Sequence, residues 1–226
     1  MKITFLGHAC LLIETGNHSL LVDPFITAND LAKDKINLED LHPDYILVTH
    51  AHQDHTLDVE AVAGRTKATV VSNFEITTYF EKKGLMVHPM NHGGSWNFDF
   101  GVLKYVQAIH TSSFADGTYG GQPGGFILTA EGKSVYIAGD TALTMDMKLI
   151  PLNVQLDLAV LPIGDNFTMG IADAVKAADF VACSKVLGCH YDTFGYIKID
   201  HNKARESFEK AGKQLHLLKI GTSLTL

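Results

Sequence analysis

Tyr45-Ile46-Leu47-Val48-Thr49-His50-Ala51-His52-Gln53-Asp54-His55 is the stretch that decides how this chain is read. Its first four residues are apolar, β-branched or aromatic, and read as a buried strand. The strand runs directly into His50, His52, Asp54 and His55. Side chains alternate along a strand, so His50 and His52 share one face. A turn after them brings Asp54 and His55 round to a neighbouring point. In a core, each of these groups would need its own polar partner. On a surface, nothing demands this order. A metal site demands both the residue types and the spacing.

Further His and Asp residues sit where other predicted strands end. His110 closes Val102–Ile109, Asp140 follows Val135–Gly139, and His190 follows Val186–Cys189. Taken singly, each has an ordinary reading. His110 would be a satisfied interior histidine, Asp140 a turn or helix cap, and His190 uninformative. Strand ends on a common edge are also where ligand sites of layered α/β folds lie. With the His50–His55 cluster they make seven N/O donors, a number that suits two metal ions with Asp140 between them. His8 closes the first predicted strand, where a role at this edge and a structural hydrogen bond are both open. Asp23, after Leu20–Val22, reads as a partner that orients a ligand histidine. Asp165 and Asn166 follow Leu158–Leu161 and read as substrate contacts or as a turn. His92, in a Gly-rich loop, lines the pocket or faces solvent. The remaining histidines, His18, His42, His88, His201 and His216, read as surface or structural, and Trp96 as packing.

Ten short apolar runs read as strands: Ile3–Leu6, Leu11–Ile13, Leu20–Val22, Tyr45–Val48, Thr69–Val71, Val102–Val106, Phe126–Leu128, Val135–Ala138, Leu158–Leu161 and Val186–Leu187. Several are uninterrupted, as expected of a sheet covered on both faces. Helical patterns occupy Glu75–Lys83 after a capping Asn73, Ile171–Cys183, and His201–Ala211 after a capping Asp200. Hairpins come early and helices alternate with strands later, which predicts an α/β layered sandwich of mixed sheets with helices outside. No internal repeat is visible. The Ser112–Gly125 segment holds Gly117, Gly120, Gly121 and Gly124, and reads equally as a mobile lid or a tight loop.

Composition narrows the function. The 226 residues are 46% apolar and 19% charged, which excludes a disordered chain. Eighteen Lys plus Arg against 25 Asp plus Glu give −7, so no basic footprint for nucleic acid exists at whole-chain level. Three cysteines, Cys10, Cys183 and Cys189, read as free thiols in a reducing compartment. No apolar run approaches the roughly 18 residues of a membrane span, and Met1–Ile13 lacks a signal-peptide core. The expected location is cytoplasmic.

His50-x-His52-x-Asp54-His55, followed in order by His110, Asp140 and His190, resembles the metallo-β-lactamase-fold superfamily over nearly the whole chain. Gly7-His8-Ala9, Val22-Asp23-Pro24, Asn91-His92-Gly93-Gly94, Gly139-Asp140-Thr141 and Gly164–Gly170 are similar to one branch of it. That branch holds small metal-dependent hydrolases of unassigned substrate, related to L-ascorbate-6-phosphate lactonase and N-acyl-phosphatidylethanolamine phospholipase D. The resemblance implies a four-layer αββα sandwich formed by one domain, residues 1–226. It implies one metal on His50, His52 and His110, a second on Asp54, His55 and His190, and Asp140 bridging. No Cys stands among these positions, unlike the common β-lactam-hydrolysing pattern, and His52 stands where diiron relatives carry a carboxylate. The expected activity is therefore hydrolysis of an ester, lactone or phosphoester of a small molecule. The nucleophile would be a hydroxide shared by two divalent ions, with Asp54, Asp140 and His8 as the catalytic side chains. Zn is the first choice of metal, with Mn, Fe, Co or Ni compatible with an all-N/O set. Alternatives are a nucleic-acid or phospholipid phosphodiesterase on the same site, or a non-catalytic metal or ligand sensor. The expected partner is a small-molecule substrate, without nucleic acid or a membrane span, and a homo-oligomer is left open because no sequence feature marks an interface.

Overall fold

Successive residues of the central strands serve different cores. In β3 (His18–Val22), Leu20 and Val22 point into one cluster of buried side chains and Leu21 into another. In β11 (Leu158–Pro162), Leu158 and Val160 join the first cluster while Ala159 and Leu161 join a third. The shared cluster is the interior between two facing sheets, and the other two lie beneath the outer helices. This is why these strands have no polar alternation. A computed structural model describes residues 1–226.

The first sheet holds β1 (Lys2–Gly7), β2 (Cys10–Thr15), β3, β4 (Tyr45–Leu47), β5 (Thr69–Asn73) and β6 (Val87–Met90) in consecutive order, with β14 (Ser223–Thr225) beside β1. The second holds β7 (Ser95–Phe98), β8 (Gly101–Gln107), β9 (Gly124–Ala130), β10 (Lys133–Ile137), β11, β12 (Lys185–Cys189) and β13 (Gln214–His216), also in consecutive order. Outside the first sheet lie α1 (Gln53–Thr56), α2 (Val59–Thr66) and α3 (Phe74–Glu81); outside the second lie α4 (Ile171–Phe180) and α5 (His201–Lys210). The result is a four-layer αββα sandwich. No helix is long and apolar enough to cross a membrane.

The two sheets share one plan. Pairing is antiparallel through β14-β1-β2-β3 and parallel through β3-β4-β5-β6. It is antiparallel through β7-β8-β9-β10 and parallel through β10-β11-β12-β13. The topology repeats although the sequence shows no repeat. The four strands absent from the sequence reading, β6, β7, β13 and β14, are the four sheet edges. The unexpected α2 buries Val59, Val62 and Ala63 on one stripe. Asn73 and Asp200 cap α3 and α5 as expected, while α4 ends at Phe180, before the expected Cys183. Trp96 is half exposed on edge strand β7, its ring 5.0 Å from that of His88. The three cysteines are buried and unpaired.

The Ser112–Gly125 segment is a pinned loop. Asn73, 1% exposed, donates from Nδ2 to the carbonyls of Gly120 (2.8 Å) and Gln122 (3.1 Å), while its Oδ1 accepts the Ile76 N–H. Ser112 donates from Oγ to the Gly120 carbonyl, and the same oxygen accepts the Ala51 N–H. A Cβ on Gly120 would lie 2.2 Å from Ala51 Cβ, so only glycine allows this approach. Phe114 stacks on Tyr79 at 3.6 Å. The loop thereby buttresses the His50–His55 segment. Asn73→Ala removes a helix cap and orphans two carbonyls at once. It should cost about 2–3 kcal/mol in equilibrium denaturant unfolding, and a loss below about 0.5 kcal/mol would contradict this account of the loop.

Candidate metal centre

The converging side chains leave their strands at the C-terminal ends. His8 follows β1, Asp23 follows β3, His50 lies just past β4, His110 past β8, Asp140 past β10 and His190 directly after β12. The single turn α1 swings Asp54 and His55 back towards His50, its start marked by the His55 N–H donating to the His52 carbonyl at 3.0 Å. The backbone is left-handed at His8 (φ 56°), Asp23 (φ 43°) and His190 (φ 54°). The His190 N–H donates to the His8 carbonyl at 2.9 Å, which ties the ends of the two sheets together. Gly164 permits that seam, since a Cβ there would meet the His190 carbonyl oxygen at 2.1 Å.

One oxygen is the focus. Asp140 Oδ2 lies 2.9 Å from His190 Nε2, 3.4 Å from His55 Nε2, 3.6 Å from His110 Nε2 and 4.0 Å from His50 Nε2. Asp54 Oδ2 lies 3.6 Å from His190 Nε2 and 3.8 Å from His55 Nε2. Two donor groups result, each compact enough for one ion. They are His50, His52 and His110, and His8, Asp54, His55 and His190; Asp140 makes a further group with His50 and His55. Hydrogen bonds aim the rings. Asp23, 1% exposed, receives His55 Nδ1–H on Oδ2 at 2.8 Å and the Thr49 N–H on Oδ1 at 2.8 Å. Thr49 Oγ1 lies 3.1 Å from His50 Nδ1, and Thr111 Oγ1 lies 3.2 Å from His52 Nε2.

The donor set fits divalent ions. His55 Nε2 and Asp140 Oδ1 are buried without a hydrogen-bond partner, although buried polar atoms are normally paired. His50 Nε2 faces His52 Nδ1 at 3.1 Å, a close approach of two nitrogens that suits adjacent ligands of one cation. Imidazole and carboxylate donors without thiolate match Zn, Mn, Fe, Co or Ni.

The two groups differ electrically. Burial holds the His50, His52 and His110 imidazoles below the ordinary histidine value, so they present lone pairs at neutral pH. At His190 burial acts the same way, but Asp140 and Asp54 overcome it and push the ring up to about 9. His55 is likewise raised, by Asp140, Asp23 and Asp54 against burial. Asp140 and Asp54 are held below the carboxylate range despite burial, Asp140 chiefly by His190 and His55, Asp54 chiefly by His55 with His190 and His8. His8 is held down to about 4, by burial first and then by His190.

Seven residues singled out in the sequence therefore meet, and His8 and Asp23 meet them. His8 Nε2 lies 2.9 Å from Asp54 Oδ2, and its Nδ1 lies 2.9 Å from Thr193 Oγ1. Three others lie elsewhere. His92 donates from Nε2 to the Pro123 carbonyl at 3.0 Å and lines a hollow on the outer face of the second sheet. Asp165 and Asn166 form a left-handed turn (φ 62° and 55°) and line a shallow surface hollow with Tyr196, Lys198 and Asp200. The sequence reading overlooked Thr49, Thr111 and Thr193, which meet imidazoles. It also overlooked Asp58, 3% exposed, which accepts the Ile26 N–H at 2.6 Å and the Thr27 N–H at 3.0 Å. The rings of Phe25 and Phe194 lie 5.6 Å and 5.3 Å from that of His8. A buried-type Asp just beyond the histidine cluster was the available signal for Asp58; the threonines carry none.

Comparison with known proteins identifies the family. Residues 2–190 match the beta-lactamase superfamily domain. A UPF0173 metal-dependent hydrolase of Christiangramia forsetii is 65% identical over 226 residues, covering 100% of both chains. One of Thermus thermophilus is 45% identical, covering 100% of this chain and 99% of the other. Among solved structures, Igni18, a metallo hydrolase from the archaeon Ignicoccus hospitalis, superposes with a TM-score of 0.90 at 32% identity, covering 99% of this chain and 97% of its own. The chain belongs to the beta-lactamase superfamily, among its UPF0173 metal-dependent hydrolases.

Proposed function

We propose that the chain hydrolyses an ester, lactone or phosphoester of a small molecule at two divalent ions, with Zn the first candidate and Mn, Fe, Co or Ni compatible. The observation that carries this reading is the single oxygen, Asp140 Oδ2, set among four imidazole Nε2 atoms. His50, His52 and His110 would hold one ion, Asp54, His55 and His190 the other, and Asp140 would serve both. Ions held there would supply Lewis acidity, lowering the pKa of an attacking water and polarising the oxygen under attack.

The chain's own residues do the rest. Asp23 fixes the His55 ring through Nδ1–H, so its Nε2 lone pair points inward. His8 is neutral at pH 7, so its Nε2–H donates to Asp54 and its Nδ1 accepts from the Thr193 hydroxyl. That chain of bonds holds the Asp54 carboxylate in one orientation. Solvent reaches the site at Asp54 and His110. His50, His55, Asp140 and His190 are buried, whereas Asp54 and His110 side chains are 25% and 15% exposed. A substrate entering there meets Phe194, 37% exposed, beside His8. The net charge of −7 disfavours a polyanionic nucleic acid.

Plasma mass spectrometry on untagged protein should find about two ions per chain. Asp140→Ala should lose at least one of them and lower turnover by about two orders of magnitude or more. Near-wild-type turnover by a fully loaded variant would refute the bridging role. Metal loading should also release protons. His190 carries one in the metal-free chain at pH 7, because Asp140 and Asp54 push its pKa up to about 9, and the same carboxylates with Asp23 raise His55. Calorimetry at pH 7 in buffers of different ionisation enthalpy should report about one proton or more released. Affinity at the second site should rise with pH up to about 9. Release of none would contradict the pairing described. His8→Gln should reduce kcat by about ten- to a hundredfold while metal content stays unchanged; loss of an ion instead would make His8 a ligand.

A further inference from the structure

The second sheet is covered unevenly. On its outer face α4 packs over β11 and α5 over β13. Beside β8 and β9 the layer is only the short 3-10 stretch Met145–Leu152. A hollow of about 700 Å³ opens there, its floor made by Val102, Lys104, Val106, Ile127 and Tyr136. The Tyr136 hydroxyl is buried in that floor without a hydrogen-bond partner. Along one side of the hollow stands a ridge of apolar side chains turned to solvent, Leu149 at 58% and Leu152 at 74% exposed, with Met145 at 64% at its start. Val102 is 42% exposed on the floor.

We propose that this face is the contact between two copies of this chain, with the Met145–Leu152 ridge of each seated in the hollow of the other. A two-fold contact uses the same patch on both partners, so the patch must carry both halves of every complementary feature. This one does so in shape, with a ridge beside a hollow, and in charge, with Lys104 and Asp146 both lining the hollow. Neither Lys104 nor Asp146 has an ion-pair partner within its own chain, so both are free to meet a partner's charge. Under two-fold symmetry Lys104 of one copy meets Asp146 of the other, twice. A small amphiphile in the hollow would cover the floor but leave Met145 in water. An apolar patch of this kind, rimmed by polar groups, marks an interface rather than ordinary surface.

The test is the oligomeric state of the full-length, metal-loaded protein by sedimentation and light scattering. The wild type should be a dimer at micromolar concentration. Leu149→Asp with Leu152→Asp should weaken the dimer by about a hundredfold or more, since each places a charge in an apolar contact. Both positions are exposed, so metal content should be unchanged and the variant should still fold cooperatively as a monomer. Lys104→Asp alone, or Asp146→Lys alone, should weaken self-association by about tenfold or more, because each brings like charges together. Mixed in equal amounts, these two variants should form a heterodimer, since every contact then pairs opposite charges. A wild type that stays monomeric up to about 100 μM overturns the proposal, and a fluorescent apolar dye binding that monomer would assign the hollow to a small amphiphile instead. A dimer that neither the aspartates nor the charge exchange loosens overturns it too, by placing the contact on another face.

Discussion

Four imidazoles cannot be aimed at one carboxylate oxygen by a flexible chain. Asp140 Oδ2 has His50, His55, His110 and His190 within 4.0 Å, and three of those rings are wholly buried. Like polar groups packed so closely in low dielectric repel, and each ring must be held against that repulsion. The holding is done by rigid elements. His50 and His55 come from the first sheet and its following turn, His110, Asp140 and His190 from the second. Only a fixed seam between the sheets can bring the two sets into register. The interior cluster of Ile3, Leu11, Val22, Leu47, Phe126, Val135 and Leu158 supplies that seam.

This dependence explains which parts of the fold are legible in the sequence. Most central strands show as apolar runs because they fill a core on each face, as Leu20-Leu21-Val22 does, while β8, with Lys104 on its less covered outer face, alternates. The four edge strands answer to no such demand. Val87-His88-Pro89-Met90 carries a proline within its length, which the interior β11 has only at its last residue, and Ser95-Trp96-Asn97-Phe98 exposes most of its residues. Gln214–His216 and Ser223–Thr225 have three residues each, too few for a period to register. The duplicated plan of the two sheets is invisible for a related reason. Topology is kept by strand direction and burial, which many sequences satisfy, so the halves match in pairing and not in residues.

The site divides in the same way. His, Asp and their spacing are chemically unusual, so His50, His52, Asp54 and His55 announce themselves, and strand ends point to His110, Asp140 and His190. The supports do not. Thr49, Thr111 and Thr193 each offer one hydroxyl to an imidazole, and threonine at a strand end is commonplace. Nor does a strand-end position alone mean convergence. Asp165 sits at the end of β11 between two contributing strands, yet its left-handed turn spends Oδ1 on the Asn166 N–H.

The backbone shows where stability is given up for this geometry. An ordinary strand exit carries a side chain along the sheet, whereas these side chains must point across to the facing sheet. His8, Asp23 and His190 achieve it by adopting positive φ without being glycine, at a cost of roughly 1–2 kcal/mol each. Asp23 recovers part of that through bonds to Thr49 and His55, and His8 and His190 through their mutual backbone bond. The imidazole and carboxylate charges recover more. His55 and His190 are drawn to protonate by the same carboxylates that a cation would bind. Protons and a metal cation would therefore compete for one focus, and the strained strand ends hold the donors that either would meet.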